Sequence, residues 1–570
     1  ADRPFTSVQC GFAGTASDGL AQLDASHRLT SATTTAADGN VVQTGELDLR
    51  HDRATLALGY GSTLRDAVST SGLSAARPFS ALREAYVDGW SRYDERRADP
   101  PRTLPGRTRE QARRTAAAYW LSVNVLKASE DKTFPGAVVA SLASPWGQAV
   151  SAGALVDGKP VYFGSYREVF ARDLYEAFTG FLASGDGGTA RATTPFLFEH
   201  QQLADGRMPR NSLINGKKAP DTGGDQLDET AYPILMALQS GLEHDHALWA
   251  DHIKKAADFV VAHGPSFGSE RWEEQGGYSP STIAAEIAGL VAAGRIADVQ
   301  GDPASARVYR ATADHFQRSI KGWTVTTTGP YAEGRYFIRL AKNGNPDEAV
   351  RYDLGNGSIN ADQRSVVDAG FLELTRLGEL PADDPDVARS LAVVDETIKQ
   401  TTDRGTGWYR YGTSGAGSED GYGDCHEPDP TTCSPSGKPW PTGNAGSGHL
   451  WPVLAGERAE HALATGDQAT AATLLGTMDA MSSGVGLVPE QAWENPLLPA
   501  SPYGTAPEQA SIGFANGEAA GSASPLTWAQ AQEVRLVRSL AEARPVEQPA
   551  QVRERYAAGA VATVPLTVTA

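Results

Sequence analysis

Only three cysteines occur in 570 residues: Cys10, Cys425 and Cys433. So few exclude a disulfide-built scaffold and any zinc-ribbon pattern. Cations are also in deficit, with 50 Lys and Arg against 69 Asp and Glu and a formal charge of −19. Nucleic-acid binding and docking on anionic lipid both need clustered Lys and Arg, so neither partner fits. The balance suits a neutral or cationic substrate. No apolar run approaches the roughly 20 residues of a membrane span. The chain also lacks an H-E-x-x-H pair, a G-x-S-x-G elbow and a Walker loop, which removes zinc-peptidase, serine-hydrolase and nucleotide-triphosphate readings. It does not open on a basic-then-apolar leader, as expected of a mature secreted form or of a cytosolic protein.

What is present is enough apolar material, 40% of residues, for sizeable cores. The length exceeds a single ordinary core and predicts two domains, one of them large. The first hundred residues read as β. VVQTGELDL (41–49) and ATLALGYG (54–61) are candidate strands between Asp-Gly and Gly-Tyr-Gly turns. So few strands make a marginal sheet, which predicts an incomplete β-sandwich. Asp99-Pro100-Pro101 reads as a linker. Beyond it, about twelve helical stretches begin near Thr108, Tyr166, Thr189, Asp228, Leu248, Pro280, Pro303, Asp362, Pro385, Gly448, Asp467 and Pro525. Long Gly-, Pro- and aromatic-rich connections recur at alternate junctions. Twelve helices so arranged suggest an (α/α)6 barrel with its site on the rim of long loops; an irregular α-solenoid is the alternative, although no fixed repeat supports it. The predicted division is 1–104 (β-sandwich and linker), 105–546 (barrel) and 547–570 (C-terminal extension).

The long loops concentrate acid beside aromatics. They include Arg271-Trp272-Glu273-Glu274, Pro489-Glu490-Gln491-Ala492-Trp493-Glu494, Arg172-Asp173 after Tyr166 and Phe170, Gln226-Leu227-Asp228, and Trp408-Tyr409-Arg410-Tyr411. Sugars are neutral polyols with apolar ring faces, and sites for them combine carboxylates, Arg and Gln with stacking Trp and Tyr. Two carboxyl groups across a glycosidic bond can hydrolyse it. Each feature has a plainer reading: a Glu-Glu pair caps a helix or faces solvent, an Arg-Asp pair is a buried ion pair, and Trp528 is core. Cys425 and Cys433 bracket a Pro-rich loop and read better as one local disulfide, implying an oxidising location, than as two free thiols. Asp420 and Asp424 are weak candidate calcium ligands, since EF-hand spacing is absent. No other metal pattern appears.

Taken in order, AAYWLSVNVLKASEDKTFPGAVVAS, YREVFARDLYEAF, QLDETAYPIL, RWEEQGGYSPST, GHLWPVLAGERAEHAL, PEQAWE and SPLTWAQAQ resemble glycoside hydrolase family 15, the glucoamylases and glucodextranases. The resemblance runs from about Thr108 to about Arg544. It implies a secreted, exo-acting α-glucan hydrolase that inverts the anomeric centre and needs no organic cofactor. It assigns Glu273 as general acid, with Trp272 helping to keep it protonated, and Glu490 as general base. It assigns Arg172 and Asp173 to the outer hydroxyls of the terminal sugar and Arg410 to the same ring. It places Tyr166, Phe170, Gln226, Asp228, Trp451 and Trp528 around the pocket and Glu274 at the next sugar. The same resemblance implies an N-terminal β-sandwich, of which SDGLAQL (17–23) and residues 38–63 look like the later part. The missing strands would have been removed or would come from a separate polypeptide. Two positions depart from the family: Phe170 where Trp is usual, and His449 where Arg is usual. The 412–439 segment is also long. These departures leave linkage and sugar open: α-1,4, α-1,6, a short isomaltose-like disaccharide or a different α-linked sugar. A related phosphorylase and a non-catalytic glycan-binding barrel are the rivals.

Overall fold

The computed structural model describes residues 1–37, 41–49, 53–143, 154–156, 159–161, 166–219, 222–354, 360–414, 449–494, 516–520, 522–559 and 563–564. Cys425, Cys433, Asp420 and Asp424, with the disulfide and calcium expectations, lie outside them. The chain divides into two compact units, Ala1–Arg97 and Ala98–Ala570.

In the first unit, strands Ser7–Phe12 and Val41–Glu46 pair antiparallel, with Cys10 opposite Gln43. Cys10 is a buried free thiol. Residues 17–23, expected as sandwich, instead enter a helix, Gly19–Ser26, because Asp18 caps it by accepting from the Leu20 N–H. Residues 54–61, expected as a strand, have no ladder partner among the described residues and form none. Helices Leu64–Ala75 and Phe79–Asp94 complete the unit and bury none of their residues.

In the second unit, six helices form a closed inner ring: Ala171–Ala183, Leu227–Gln239, Pro280–Val299, Leu372–Arg376, Pro452–Ala464 and Thr527–Glu542. Each packs on the next, and the last returns to the first. Sequence explains their position. Pro280–Val299 is apolar nearly all round and is buried from Pro280 to Gly294 without a break, which suits a helix with protein on every side. The partner helices are amphipathic and lie outside: Arg109–Ala128, Gly187–Phe196, Lys254–His263, Pro303–Thr324, Pro385–Thr397 and Gln468–Met481. The twelve expected helices are present, with local shifts. The helix expected at Asp362 starts at Leu372, because Asn360–Asp362 and Val367–Asp368 are short strands and the Asp362 carboxylate closes a 3-10 turn on the Arg364 N–H.

Below the rim, charged residues fill the ring interior. Glu176 holds Arg376 and Arg535; Arg376 also binds Glu373, and Glu547, from beyond the last inner helix, lies 3.0 Å from Arg535. Burying so many charges is tolerable only because each faces an opposite one. Glu176, Glu373, Arg376 and Arg535 are all buried among the inner helices.

Candidate active site

The Arg172-Asp173 and Gln226-Asp228 motifs sit at the N-terminus of an inner helix, the 271–274 run shortly before one, and the 408–411 and 489–494 motifs farther ahead of one in the sequence. Phe170, Arg172 and Asp173 open Ala171–Ala183; Gln226 and Asp228 open Leu227–Gln239. The 271–274 run precedes Pro280, Arg410 and Trp451 precede Pro452, and Glu490 and Trp528 flank the start of Thr527–Glu542. Five helix N-termini, each with partial positive charge, thus border a space furnished with carboxylates.

Arg172 is the keystone. Its Nε donates to Asp228 Oδ2 at 2.9 Å, Nη1 to the Arg271 carbonyl at 2.7 Å, and Nη2 to Glu229 Oε1 at 3.1 Å and to Gln226 Oε1. The Arg172 amide also donates to Glu229 Oε2. Four of five guanidinium N–H groups are therefore spent on protein. What remains is on Nη1, which stands 3.8 Å from Glu273 Oε1. Arg172 is thus a buried ion-paired residue, but its counter-charges are Asp228 and Glu229 rather than its neighbour Asp173. Asp173 differs: its carboxylate accepts no hydrogen bond among the described residues, and burial pushes it up to about 7 against the pull of Arg172.

Glu490 is buried, with Oε1 accepting from the Tyr166 hydroxyl at 2.6 Å. Burial raises its pKa, while the Tyr166 bond and Arg410 oppose the rise. Tyr166 is itself pushed well up by burial and by Glu490, with Glu273 adding to the effect. Glu273 and Glu490 therefore act on one neighbourhood, since both also raise Asp173. Glu273 is a backbone outlier with φ 70°, its N–H turned back to the Glu270 carbonyl at 2.8 Å. Such a left-handed glutamate costs about 1–3 kcal/mol and persists only where surroundings impose it.

Trp272 is fixed by partners other than Glu273. Its indole N–H donates to Asp368 Oδ2 at 3.0 Å, and its ring packs on Trp451 and Trp528, with centroids 5.2 and 6.4 Å away. The charged partners of Glu273 are instead Arg172 and Arg210. Glu274 is held by Arg339 at 3.0 Å and faces Arg410 at 3.4 Å. Arg410 in turn lies 5.5 Å from the Trp451 centroid. Arg210, Arg339 and Asp368 were missed by sequence reasoning, and none sits in a motif that could have revealed it. His449 is buried, with Nδ1 2.9 Å from Glu494 Oε2 and its ring against Trp493. Several buried groups around this space have no hydrogen-bond partner among the described residues: the indole N–H of Trp451 and of Trp528, the Gln226 amide nitrogen and Glu490 Oε2. Buried polar atoms left open in this way at one place mark where a ligand's own donors and acceptors would go. Among the described residues, no cluster of His, Cys, Asp and Glu could hold a metal ion.

The family model for glycosyl hydrolases family 15 matches residues 200–538. The chain belongs to that family. A second model, glucodextranase domain N, matches residues 1–95 of this family 15 chain. A glucoamylase of Clostridium sp. (strain G0005) is 36% identical over 525 residues, which is 92% of this chain. The chain spans 66% of that relative's length. A solved bacterial glucoamylase complexed with acarbose superposes with a TM-score of 0.77 at 33% identity, covering 97% of this chain and 73% of that one. A solved glycosidase at 18% identity and TM-score 0.52 shares the fold, over 77% of this chain and all of its own. Together with the closed six-helix ring, these matches establish the (α/α)6 barrel and its N-terminal β domain.

Proposed function

We propose that this family 15 chain is a glycoside hydrolase of glucoamylase or glucodextranase type, releasing β-glucose from non-reducing ends of an α-glucan by inversion. Glu273 protonates the departing glycosidic oxygen, and Glu490 removes a proton from the water that attacks the anomeric carbon from the opposite face. An inverting pair leaves room for that water, roughly 6.5–9.5 Å between carboxyl groups. The observation that carries the reading is the pairing of a fully buried carboxylate, Glu490, whose Oε2 is unoccupied, with a second carboxylate, Glu273, across the same cluster of unpartnered polar atoms. A polyol, which both donates and accepts, satisfies such atoms together; an apolar ligand satisfies none and an anion leaves the Glu490 oxygen without a donor. The Asp173 carboxylate and the two indole N–H groups, none with a hydrogen-bond partner among the described residues, suit hydroxyls. The carbohydrate that the solved bacterial relative holds is of the same class.

Proton NMR in the first minutes of hydrolysis of maltose, isomaltose, dextran, starch and trehalose tests both halves of this reading. The β-anomer is expected first from one or more of them. Initial α-anomer from the maltose, isomaltose, dextran or starch reactions, beyond what the leaving sugar brings, contradicts inversion, whereas trehalose should give the two anomers in equal amounts; no release from the panel points to a different α-linked sugar or to a non-catalytic glycan-binding barrel. Release that requires phosphate would favour the phosphorylase; Glu490 argues against it, because phosphate would replace the water and its base.

The base must be ionised, so activity falls as pH drops through its pKa. Tyr166 donates to the ionised form of Glu490 and lowers that pKa. Tyr166→Phe is therefore expected to move the acid limb of kcat/KM to higher pH by about one unit, the worth of one charge-assisted hydrogen bond. A limb that stays put or moves down contradicts the base assignment.

Secretion is part of this reading, in keeping with the acidic composition and with two cysteines, Cys425 and Cys433, close together in the sequence; no helix among the described residues is long and apolar enough to cross a membrane. For the N-terminal unit, the exposed apolar side chains of Leu56, Leu58, Leu64, Val68 and Leu73 support a further β segment that covers them, on this or another polypeptide.

A further inference from the structure

Arg210 has no part in the chemistry above, yet it makes the shortest contact to its acid. It lies in the 204–226 loop, and its Nε donates to Glu273 Oε2 at 2.5 Å. Its guanidinium carbon rests 5.3 Å from the centroid of the Phe170 ring. The loop is pinned beside that ring by its next two residues. Asn211 Nδ2 donates to Glu168 Oε2 at 2.6 Å, and Ser212 and Val169 exchange backbone hydrogen bonds of 3.0 and 2.9 Å. Glu273 enters the contact from a left-handed backbone, φ 70°, fixed by its turn to Glu270. Its two oxygens are then unequal. Oε2 is tied to Arg210, whereas Oε1 accepts no hydrogen bond among the described residues and stands 3.8 Å from Arg172 Nη1.

We propose that Arg210 is the positioning residue of the leaving-group acid: it anchors Oε2 against the Phe170 wall and so turns Oε1 toward the scissile oxygen. This rests on the reading of Glu273 as that acid. In the step itself, the proton on Oε1 passes to the glycosidic oxygen as the bond from that oxygen to the anomeric carbon breaks. The bonding pair stays on the departing oxygen. Glu273 is left as a carboxylate, and the guanidinium already on Oε2 meets the new charge without rearranging, as preorganised electrostatic stabilisation requires. Asp173, Glu229 and Glu490 are the carboxylates that face the same region and oppose that charge, with Arg172 beside them. Among the described residues, Arg210 is the cation that hydrogen-bonds to this acid.

The test uses two substrates of the intact chain: the best disaccharide from the panel, whose leaving group needs a proton, and the corresponding α-glycosyl fluoride, whose leaving group does not. Arg210→Gln is expected to lower kcat on the disaccharide by about 10- to 100-fold, part of the 10²–10⁴-fold that general acid catalysis supplies. Fluoride hydrolysis should fall less than about threefold, KM should change less than about threefold, and Arg210→Lys should recover part of the disaccharide rate. Equal losses on both substrates would assign Arg210 a merely structural role. A change in KM alone would make it a substrate ligand, and no loss on either would remove it from the reaction; each overturns the proposal. Glu273→Gln run alongside separates the two layers: if that variant keeps disaccharide turnover, the acid assignment has failed, whatever Arg210 does. Thermal unfolding of the Arg210 variants confirms that folded protein is compared.

Discussion

Glu273→Gln is expected to reduce kcat on an α-linked disaccharide by about 10²–10⁴-fold while leaving KM within a few-fold. Glutamine keeps the shape of the side chain and can still meet Arg210 through its carbonyl oxygen, so the pocket should stay assembled. What it removes is the transferable proton. The loss should therefore track leaving-group basicity. It should be greatest for sugar alcohols and small for a fluoride, which departs without protonation. That dependence separates loss of an acid from loss of a binding group, because a binding group would depress both substrates alike. A variant that hydrolyses its disaccharide nearly as fast as the parent would end the assignment of Glu273. The protein would then be a glycan binder, or an enzyme using a different acid.

The second large effect concerns stability as much as rate. Arg172→Met should destabilise the barrel by about 3–5 kcal/mol, because it leaves Asp228 and Glu229 buried without their cation. Urea unfolding followed by tryptophan fluorescence measures it. The loss has a pH signature. Glu229 is already held above the usual carboxylate range by burial, with Arg172 opposing. Without the arginine, its folded pKa rises further above the unfolded value. A group of that kind favours the folded state below the unfolded pKa and loses that contribution as pH rises. The variant should therefore be closest to the parent near pH 5 and furthest from it near pH 8. Equal destabilisation across that range would mean that lost packing, rather than stranded charge, sets the cost. A useful contrast is Arg114, paired with Glu110 on an exposed helix face, whose replacement should leave the unfolding midpoint essentially unchanged.

The sequence carried the frame of this molecule through the lengths, spacing and textures of its helices. Pro280–Val299 is apolar on all sides, whereas Pro303–Thr324 alternates faces, and that difference is written residue by residue. Helix starts were legible where a cap was present, as at Thr108, Asp302 and Asp467. The site was legible wherever its residues adjoin in sequence, as Arg172-Asp173 and Glu273-Glu274 do. It was not legible where ring closure joins distant segments. Arg210 meets Glu273 across 63 positions and Arg339 meets Glu274 across 65, with no local pattern to announce either pair. Nor does the left-handed backbone at Glu273 leave a trace in composition, since the usual signal for it is glycine. The N-terminal unit misled for a related reason. Short apolar alternation such as 54–61 reads as strand, but a strand exists only with a partner, and none pairs with it among the described residues.

The ring has a further consequence, for the order in which the molecule can be made. Its last inner helix, Thr527–Glu542, packs on its first, Ala171–Ala183, and Glu176 meets Arg535 across 359 residues. During synthesis Glu176 must wait, without its final partner, while more than half of the chain emerges. A ring of five helices has an open flank lined with the same apolar residues that later form its core. Such a species gains little from local contacts and risks association with its neighbours. Glu547 arrives later still and completes the pairing of Arg376 and Arg535. The same closure that fixes a precise pocket therefore makes the barrel a late-committing fold, with its cooperative unit secured only when its final helix is in hand.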